Sequence, residues 1–136
     1  MFEYHGWVTI FETPGADLDD AMLQRAADRV HRKLSELGDQ HLLDLRWIND
    51  QPSVHIAGYA SHSGTWAERV VDLYTQIARL APGSYGLLYV RDPENAFHGE
   101  EFRIYRMARG QVTEHADPFL SPVIPMVQDG HPAEIF

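Results

Sequence analysis

Apolar residues recur with the two-residue period of β-strands in five short segments of the chain. These segments cover residues 3–12, 42–48, 53–59, 85–91 and 102–108. In the first segment, Tyr4 and Val8 share one side, and Trp7 and Phe11 share the other. A four-residue turn, 49–52, separates the second and third segments, which predicts an antiparallel hairpin.

Two further segments repeat apolar residues at the spacing of an amphipathic helix. The apolar stripes consist of Leu23, Ala26, Val30, Leu34 and Leu37 in the first helix, and of Trp66, Val70, Leu73, Ile77 and Leu80 in the second. Asp17 is the predicted N-cap of the first helix, and Gly38 is its predicted stop. Thr65 and Glu68 match the spacing of a capping box at the start of the second helix.

The resulting order of elements, β-α-β-β-α-β-β, predicts an α+β fold. It is the order of a ferredoxin-like split βαβ sheet with an added strand. Right-handed crossovers would place both helices on one face of that sheet. Prolines become frequent near the C-terminus, which predicts an extended tail, 116–136, packed on a single domain that comprises residues 1–136.

The formal net charge of −9 comes from 20 acidic residues against 11 basic ones. Such a field repels phosphate backbones and anionic lipids and attracts basic proteins. We therefore expect a basic protein partner, no nucleic acid and no membrane. The first residues show no basic segment followed by an apolar one, and no apolar run approaches the roughly 20 residues of a membrane span, so we expect a cytoplasmic protein.

The sequence contains no cysteine, which excludes disulfides, thiolate metal sites and a cysteine nucleophile. His5, His55 and His62 lie in or beside predicted strands, but no histidine pair has the spacing that places two imidazoles on one helix face. The fold could still bring these histidines close enough together to bind a metal ion. We interpret them as ordinary polar histidines and expect neither a metal nor a cofactor.

Two features of the sequence resemble catalytic sites only superficially. Glu68 and Asp72 share a helix face, where paired carboxylates can perform acid–base chemistry, but a solvated helix face is the interpretation that we favour. Residues 83–86 resemble a nucleophile elbow, yet they run from helix into strand, whereas an elbow runs from strand into helix. No phosphate-binding glycine motif is present. We therefore expect a protein that is not an enzyme.

The sheet face opposite the helices is the more informative candidate site. If Leu88 and Val90 pack beneath the helices, their neighbours on the same strand point the other way. Trp7 joins them from the first strand, and we expect Tyr105 with Arg103 to join from the last. Exposed Trp, Tyr and Arg are typical of interface hot spots. The predicted partner-binding residues are Trp7, Tyr89, Arg91, Asp92, Glu94, Glu100, Glu101 and Tyr105.

Two alternatives for this face remain open. The proline-rich tail could cover the aromatic residues and form a second small core with them. An aromatic sheet could also stack single-stranded RNA, but such platforms have basic surroundings, which this acidic chain lacks. The loop 92–101 carries four carboxylates and neither lysine nor arginine. This composition favours docking of a basic protein surface.

Four ordered segments resemble the immunity protein 7 family of bacterial polymorphic toxin systems. They are Tyr4-His5-Gly6-Trp7, Leu43-Asp44-Leu45-Arg46, residues 81–89 and residues 117–122. The resemblance implies a small α+β protein that binds a cognate toxin domain, possibly a nuclease, and protects the producing cell. No binding residues can be transferred from the family.

Two other classes of function stay open beside the toxin inhibitor. A small enzyme or ligand-binding protein of the same topology would show a clustered histidine–carboxylate pocket. A self-associating structural module would present a broad apolar sheet face. The sequence leaves open whether the chain is a monomer or a homodimer.

Overall fold

The computed structural model describes residues 1–15, 19–37 and 41–130. The elements are β1 (Phe2–Thr9), α1 (Asp20–Ser35), β2 (Leu42–Ile48), β3 (Gln51–Ala60), α2 (Trp66–Leu80), β4 (Tyr85–Arg91), β5 (Phe102–Ala108), β6 (Gln111–Ala116) and α3 (Val123–Met126). Within these residues the strands form one six-stranded sheet in the order β2-β3-β1-β4-β5-β6, with every neighbouring pair antiparallel. The predicted α+β class is confirmed.

Strand β6 was not predicted. It pairs with β5 across the two-residue turn Arg109-Gly110, in which both residues have positive φ (52° and 77°). Most of its side chains are exposed, and only Val112 packs against the core. Because β6 is held by backbone pairing at the edge of the sheet rather than by a buried face, its sequence carries no apolar alternation.

The start of α1 differs from the prediction. Asp19 is the N-cap, and its Oδ1 atom accepts hydrogen bonds from the backbone N–H groups of Ala21 (2.9 Å) and Met22 (3.3 Å). The expected cap, Asp17, and the expected stop, Gly38, lie outside the described residues. The helix itself ends at Ser35.

Two further local predictions were wrong. Thr65 precedes α2, but its side chain makes no capping hydrogen bond, since its backbone is already close to helical (φ −91°, ψ −2°). The turn between β2 and β3 has two residues rather than four. Asn49 and Asp50 both adopt positive φ (49° and 65°), a conformation that Asn and Asp tolerate better than other non-glycine residues and that suits tight hairpins.

One face of the sheet packs against both long helices. The buried side chains of this core include Tyr4, Val8, Val54, Ile56, Leu88 and Val90 from the strands and Val30, Leu34, Leu73 and Ile77 from the helices. The predicted position of Leu88 and Val90 beneath the helices is confirmed. Gly86 permits one close approach here, since a Cβ atom would collide with the carbonyl oxygen of Trp7 and meet the Tyr74 hydroxyl.

The chain after β6 packs against the start of β5. The Ser121 hydroxyl accepts a hydrogen bond from the backbone N–H of Phe102 (2.8 Å), and the N–H of Val123 donates to the carbonyl of Glu100 (2.7 Å). Val123 is fully buried and begins the short helix α3. The expected extended tail therefore contains a helix, which anchors it to the sheet.

Candidate functional site

The register of the strands shows which side chains share the face opposite the helices, because directly paired residues point to the same side of a sheet. Trp7 is paired with His55 and with Leu87, and His5 is paired with Ala57 and with Tyr89. We call this surface the outer face. Its members on the three central strands are Glu3, His5, Trp7, Thr9, Ser53, His55, Ala57, Tyr59, Tyr85, Leu87, Tyr89 and Arg91.

An aromatic cluster lies at one end of the outer face. The rings of Trp7 and Tyr85 meet edge to face, with centroids 6.1 Å apart and an interplanar angle of 89°. Phe11 stacks on the other side of Tyr85, also at 6.1 Å. Trp7 is 39% exposed and Tyr85 47% exposed. The rings are thus held in fixed orientations by one another while they remain open to solvent.

The opposite end of the outer face is more polar. The His5 ring contacts Tyr59 edge to face at 5.5 Å, and its Nε2 atom lies 2.9 Å from a Glu3 carboxylate oxygen. The guanidinium of Arg91 lies 3.9 Å from the same carboxylate, and its Nε atom is buried without a hydrogen-bond partner among the described residues. The predicted site residue Arg91 is therefore on the outer face but largely enclosed.

The described part of the C-terminal segment, residues 117–130, reaches one corner of this face. Phe102 and Ile104 of β5 pair with Arg91 and Tyr89, so they also belong to the outer side, but both are buried. The segment that includes Val123 is attached at this corner through the backbone of β5. Of the two alternatives for this face, an open surface agrees with the aromatic cluster, since Trp7 and Tyr85 are exposed and Phe11 is half-buried.

The predicted position of Tyr105 and Arg103 on the outer face is wrong. Tyr105 is paired with Leu88 and Arg103 with Val90, so both point to the helix side. There the Tyr105 hydroxyl donates to Glu114 (3.2 Å), and the Arg103 Nε–H donates to the same carboxylate (2.8 Å). Burial, and secondarily the Glu114 carboxylate, raises the pKa of Tyr105 to about 12. These residues brace the β5–β6 hairpin rather than extend the aromatic surface.

The acidic loop, residues 92–101, is ordered by its own hydrogen bonds. The Asp92 carboxylate accepts from the N–H of Glu94 (3.1 Å), and Glu94 Oε1 lies 2.9 Å from His62 Nδ1. Glu101 contacts Arg103 at 3.2 Å and His98 at 2.9 Å. The loop therefore presents carboxylates in defined positions, although Glu101 is already engaged with an arginine.

Phe97 at the tip of this loop is 89% exposed. Its N–H and that of His98 both donate to Asn95 Oδ1 at 2.9 Å, which fixes the backbone beneath the ring. Sequence reasoning missed Phe97, since a lone apolar residue between turn residues has no periodicity. An exposed phenylalanine among carboxylates is a candidate anchor in its own right.

The aromatic cluster and the acidic loop lie at opposite ends of the outer face. Tyr85 begins β4 and Arg91 ends it, and six residue steps along a strand span roughly 20 Å. A protein interface of standard size covers roughly 800 Å² per partner, which is wide enough to include both ends. One partner protein can therefore contact both regions at once.

Two of the carboxylates that line an open cleft beside α1 have structural partners. One open cleft of about 600 Å³ is lined by Phe11, Glu12, Asp19 and Asp50, among others. Asp19 caps α1 and Glu12 pairs with Arg29, so these carboxylates have structural partners. In the part of the chain that the structure describes, no group of three or more His, Asp or Glu side chains is placed to hold a metal ion.

Three buried groups with clearly shifted pKa values, Tyr4, Tyr74 and Asp117, contribute to the packing of the fold. Burial raises the pKa of Tyr4 to about 12 and that of Tyr74 still further. Burial alone would raise the pKa of Asp117, but hydrogen bonds from Phe119, Leu120 and Ser121 stabilise its charged form and hold the pKa below its ordinary value of 3.8. None of these three groups lines the 600 Å³ cleft.

Exposed, oriented aromatic rings at one end of a sheet face and an acidic loop at the other end are typical of protein-binding surfaces. The family model described as immunity protein 7 matches residues 1–129. The chain therefore belongs to the immunity protein 7 family, as the ordered segments indicated. No curated protein and no solved structure matches the chain. Membership identifies an immunity protein, a class that is generally non-enzymatic and that binds a cognate toxin.

The matched segments have structural roles that the contacts explain. Tyr4 is buried in the core, and Asp117 accepts hydrogen bonds from the N–H groups of Phe119 and Leu120 and from the Ser121 hydroxyl, each at 2.9 Å.

Among the residues described, no helix combines the length and the apolarity that a membrane crossing requires.

Proposed function

We propose that this protein is a cytoplasmic immunity protein that binds a basic toxin domain through its outer face and protects the producing cell. The observation that carries this proposal is the exposed aromatic cluster of Trp7, Tyr85 and Phe11, together with membership of the immunity protein 7 family. The chain acts as one binding domain, 1–136, without a catalytic step, a metal or a cofactor of its own.

The aromatic cluster supplies the buried anchors of this interface. Exposed Trp and Tyr rings bury a large apolar area on binding and lose little conformational freedom, because their neighbours already orient them. Truncation of such an anchor typically costs 2 kcal/mol or more, roughly thirtyfold in affinity. Tyr89 is half-buried between the cluster and the polar end of the face and extends the contact surface.

The acidic loop supplies electrostatic steering toward the toxin. The loop that carries Asp92, Glu94 and Glu100 follows directly after Arg91, the last residue of β4, and its Phe97 is an exposed apolar side chain. A nuclease must present positive charge to bind phosphate, so a protein of net charge −9 can compete for the same surface. A nuclease toxin is therefore the target that the charge distribution favours.

Co-expression with the cognate toxin domain tests the proposal. The wild-type protein should restore growth and co-purify with the toxin. Trp7→Ala and Tyr85→Ala should weaken both effects, whereas Phe119→Ala removes an exposed ring from the segment after β6 and should act like wild type. Unimpaired protection and co-purification by the Trp7→Ala/Tyr85→Ala double variant, confirmed as folded by circular dichroism, would place the toxin elsewhere.

A further inference from the structure

Strand β2 forms one edge of the sheet, and its outward backbone groups have no strand partner among the described residues. Natural proteins protect such edges with lysine, proline or bulges. β2 contains no lysine, proline or bulge over its seven residues, LLDLRWI, and its two charged residues, Asp44 and Arg46, are of opposite sign, so that a second copy can pair with them. Three of its apolar side chains are instead exposed, namely Leu42, Trp47 and Ile48. An unprotected apolar edge favours the addition of another strand.

The sequence of β2 is complementary to itself about its central residue, Leu45. In an antiparallel pairing with Leu45 opposite Leu45, Asp44 of one copy faces Arg46 of the other. In the same register Leu42 faces Ile48, and Leu43 faces Trp47. We propose that two copies of this chain associate through β2 in this register, so that their sheets join into one continuous sheet.

The charges select this register over its neighbours. Sliding the second copy by two residues places either Asp44 opposite Asp44 or Arg46 opposite Arg46. Like charges directly opposite each other destabilise strand pairing, whereas opposite charges stabilise it. Within one chain, Arg46 Nε already lies 2.6 Å from Asp44 Oδ2. The pairing therefore joins two such ion pairs into a cluster of alternating charge on the outer side of the sheet.

A groove beside β2 accommodates the side chains of the second copy. It has a volume of about 480 Å³ and is lined by His31, Leu34 and Ser35 of α1 and by β2 itself. Leu43 pairs with Ile56 on the helix side of the sheet, so Trp47 of the second copy, facing Leu43, lies over the mouth of this groove. The association covers an indole ring that is 43% exposed in the single chain.

The opposite edge of the sheet does not offer such a surface. The side chains of β6 are mainly polar, and Glu114 is bound by Arg103 and Tyr105 of the adjacent strand. Self-association through β6 would bury polar groups without adding apolar contacts. The contrast between the edges assigns the association to β2.

Charge reversal tests the proposal in the purified full chain without any toxin, so it is independent of the proposed function. Analytical ultracentrifugation over a wide range of concentration should show a monomer–dimer equilibrium. Asp44→Arg or Arg46→Asp alone creates two like-charge pairs and should raise the dissociation constant roughly tenfold to a hundredfold. The double variant Asp44→Arg/Arg46→Asp restores opposite charges and should restore the dimer.

Several outcomes would overturn the proposal: a wild-type chain that is monomeric at all concentrations, a dimer that is indifferent to the single reversals, or single reversals that the double variant does not rescue. A monomer whose β2 variants lose affinity for the toxin would make this edge part of the toxin interface instead.

Cysteine cross-linking tests the register separately, since the chain has no cysteine of its own. Leu45→Cys places two thiols opposite each other and should form an intermolecular disulfide on mild oxidation. Leu43→Cys is the matched control, because its two copies would lie four residues apart along the strands, roughly 13 Å and beyond the reach of a disulfide. Equal cross-linking of both variants, or none at position 45 in a folded dimer, would exclude this register.

Discussion

The same strands supply the side chains of both faces of the sheet, but the two faces have different roles. On β4, Leu88 is fully buried beneath the helices, while Leu87 beside it lies half-buried on the outer face. On β1, Val8 is buried, and Trp7 is exposed within the aromatic cluster. The helix side is mainly aliphatic and close-packed, and the outer side carries the aromatic cluster, whose rings contact one another and remain open to solvent. Stability therefore depends mainly on one face, and the other is available for binding.

Replacement of Leu88 and of its neighbour Leu87 should show the largest difference in stability between the two faces. Leu88→Ala leaves a cavity in the core and should lower the free energy of unfolding by about 2–5 kcal/mol. Leu87→Ala removes the same atoms from the outer face and should cost less than half as much, since that site is already open to solvent. Urea denaturation measures both. A loss under about 1 kcal/mol for Leu88→Ala, or equal losses, would contradict the assignment of the faces.

Substitution of Asp117 tests whether its hydrogen bonds hold the C-terminal segment at its corner of the outer face. Asp117→Asn weakens three hydrogen bonds to a buried carboxylate and should cost about 2 kcal/mol at neutral pH. Because the folded-state pKa of this carboxyl is lowered, its contribution is full above its ordinary value of 3.8 and is lost as the pH falls through the folded-state pKa.

Denaturation of wild type and Asp117→Asn across this pH range measures the effect. The difference between their unfolding free energies should be constant above pH 3.8 and should shrink below it. A difference that does not change with pH would show that the carboxylate charge is not what stabilises the segment.

Tyr74 links the core to the strand that carries the aromatic cluster. Its buried hydroxyl donates to the carbonyl oxygen of Trp7 at 3.0 Å. Tyr74→Phe should cost about 1 kcal/mol. Tyr85→Phe is the matched control, because its hydroxyl lies on the open face, and it should leave stability unchanged.

The contribution of the Tyr74 hydroxyl to stability depends on pH in the opposite direction to that of Asp117. Burial raises the pKa of Tyr74 above its ordinary value of 10.0, so the contribution of the protonated hydroxyl is full below pH 10.0 and is lost as the pH rises through the folded-state pKa. The stability advantage of wild type over Tyr74→Phe should therefore decline above pH 10.0. A constant advantage would contradict a contribution from this proton.

The smallest expected effect concerns the acidic loop. Glu94→Gln with Glu100→Gln should slow association with a basic toxin domain severalfold and reduce the salt dependence of the rate, while dissociation changes little. Glu101 is excluded because it pairs with Arg103. Stopped-flow mixing at several salt concentrations measures the rate.

The control for this prediction is Glu68→Gln with Asp72→Asn on α2, which removes the same net charge from the helix side. If both double variants slow association equally, net charge alone explains the effect and the loop has no steering role. An unchanged rate for the loop variant would exclude steering altogether.

Part of the candidate site could be predicted from alternation along β1 and β4. Trp7 and Tyr89 were assigned to the correct face, because each stands next to buried residues that recur at every second position of its own strand. Tyr105 was assigned to the wrong face. A ten-residue loop separates β4 from β5, so the pairing of Tyr105 with Leu88 depends on how that loop folds. Phe97 was missed because its exposure depends on the turn made by Asn95.

The sequence by itself determined the elements with a buried face: two amphipathic helices, five strands, and the inward position of Leu88 and Val90. Burial against a core imposes a period on the residues, and a period can be read from one chain. Only the tertiary structure decided the features that lack such a period. These are the polar edge strand β6, the meeting of Phe11, Tyr85 and Trp7, and the position of β2 at an edge of the sheet. Each depends on backbone pairing or on contacts between residues far apart in the chain, which no local pattern encodes.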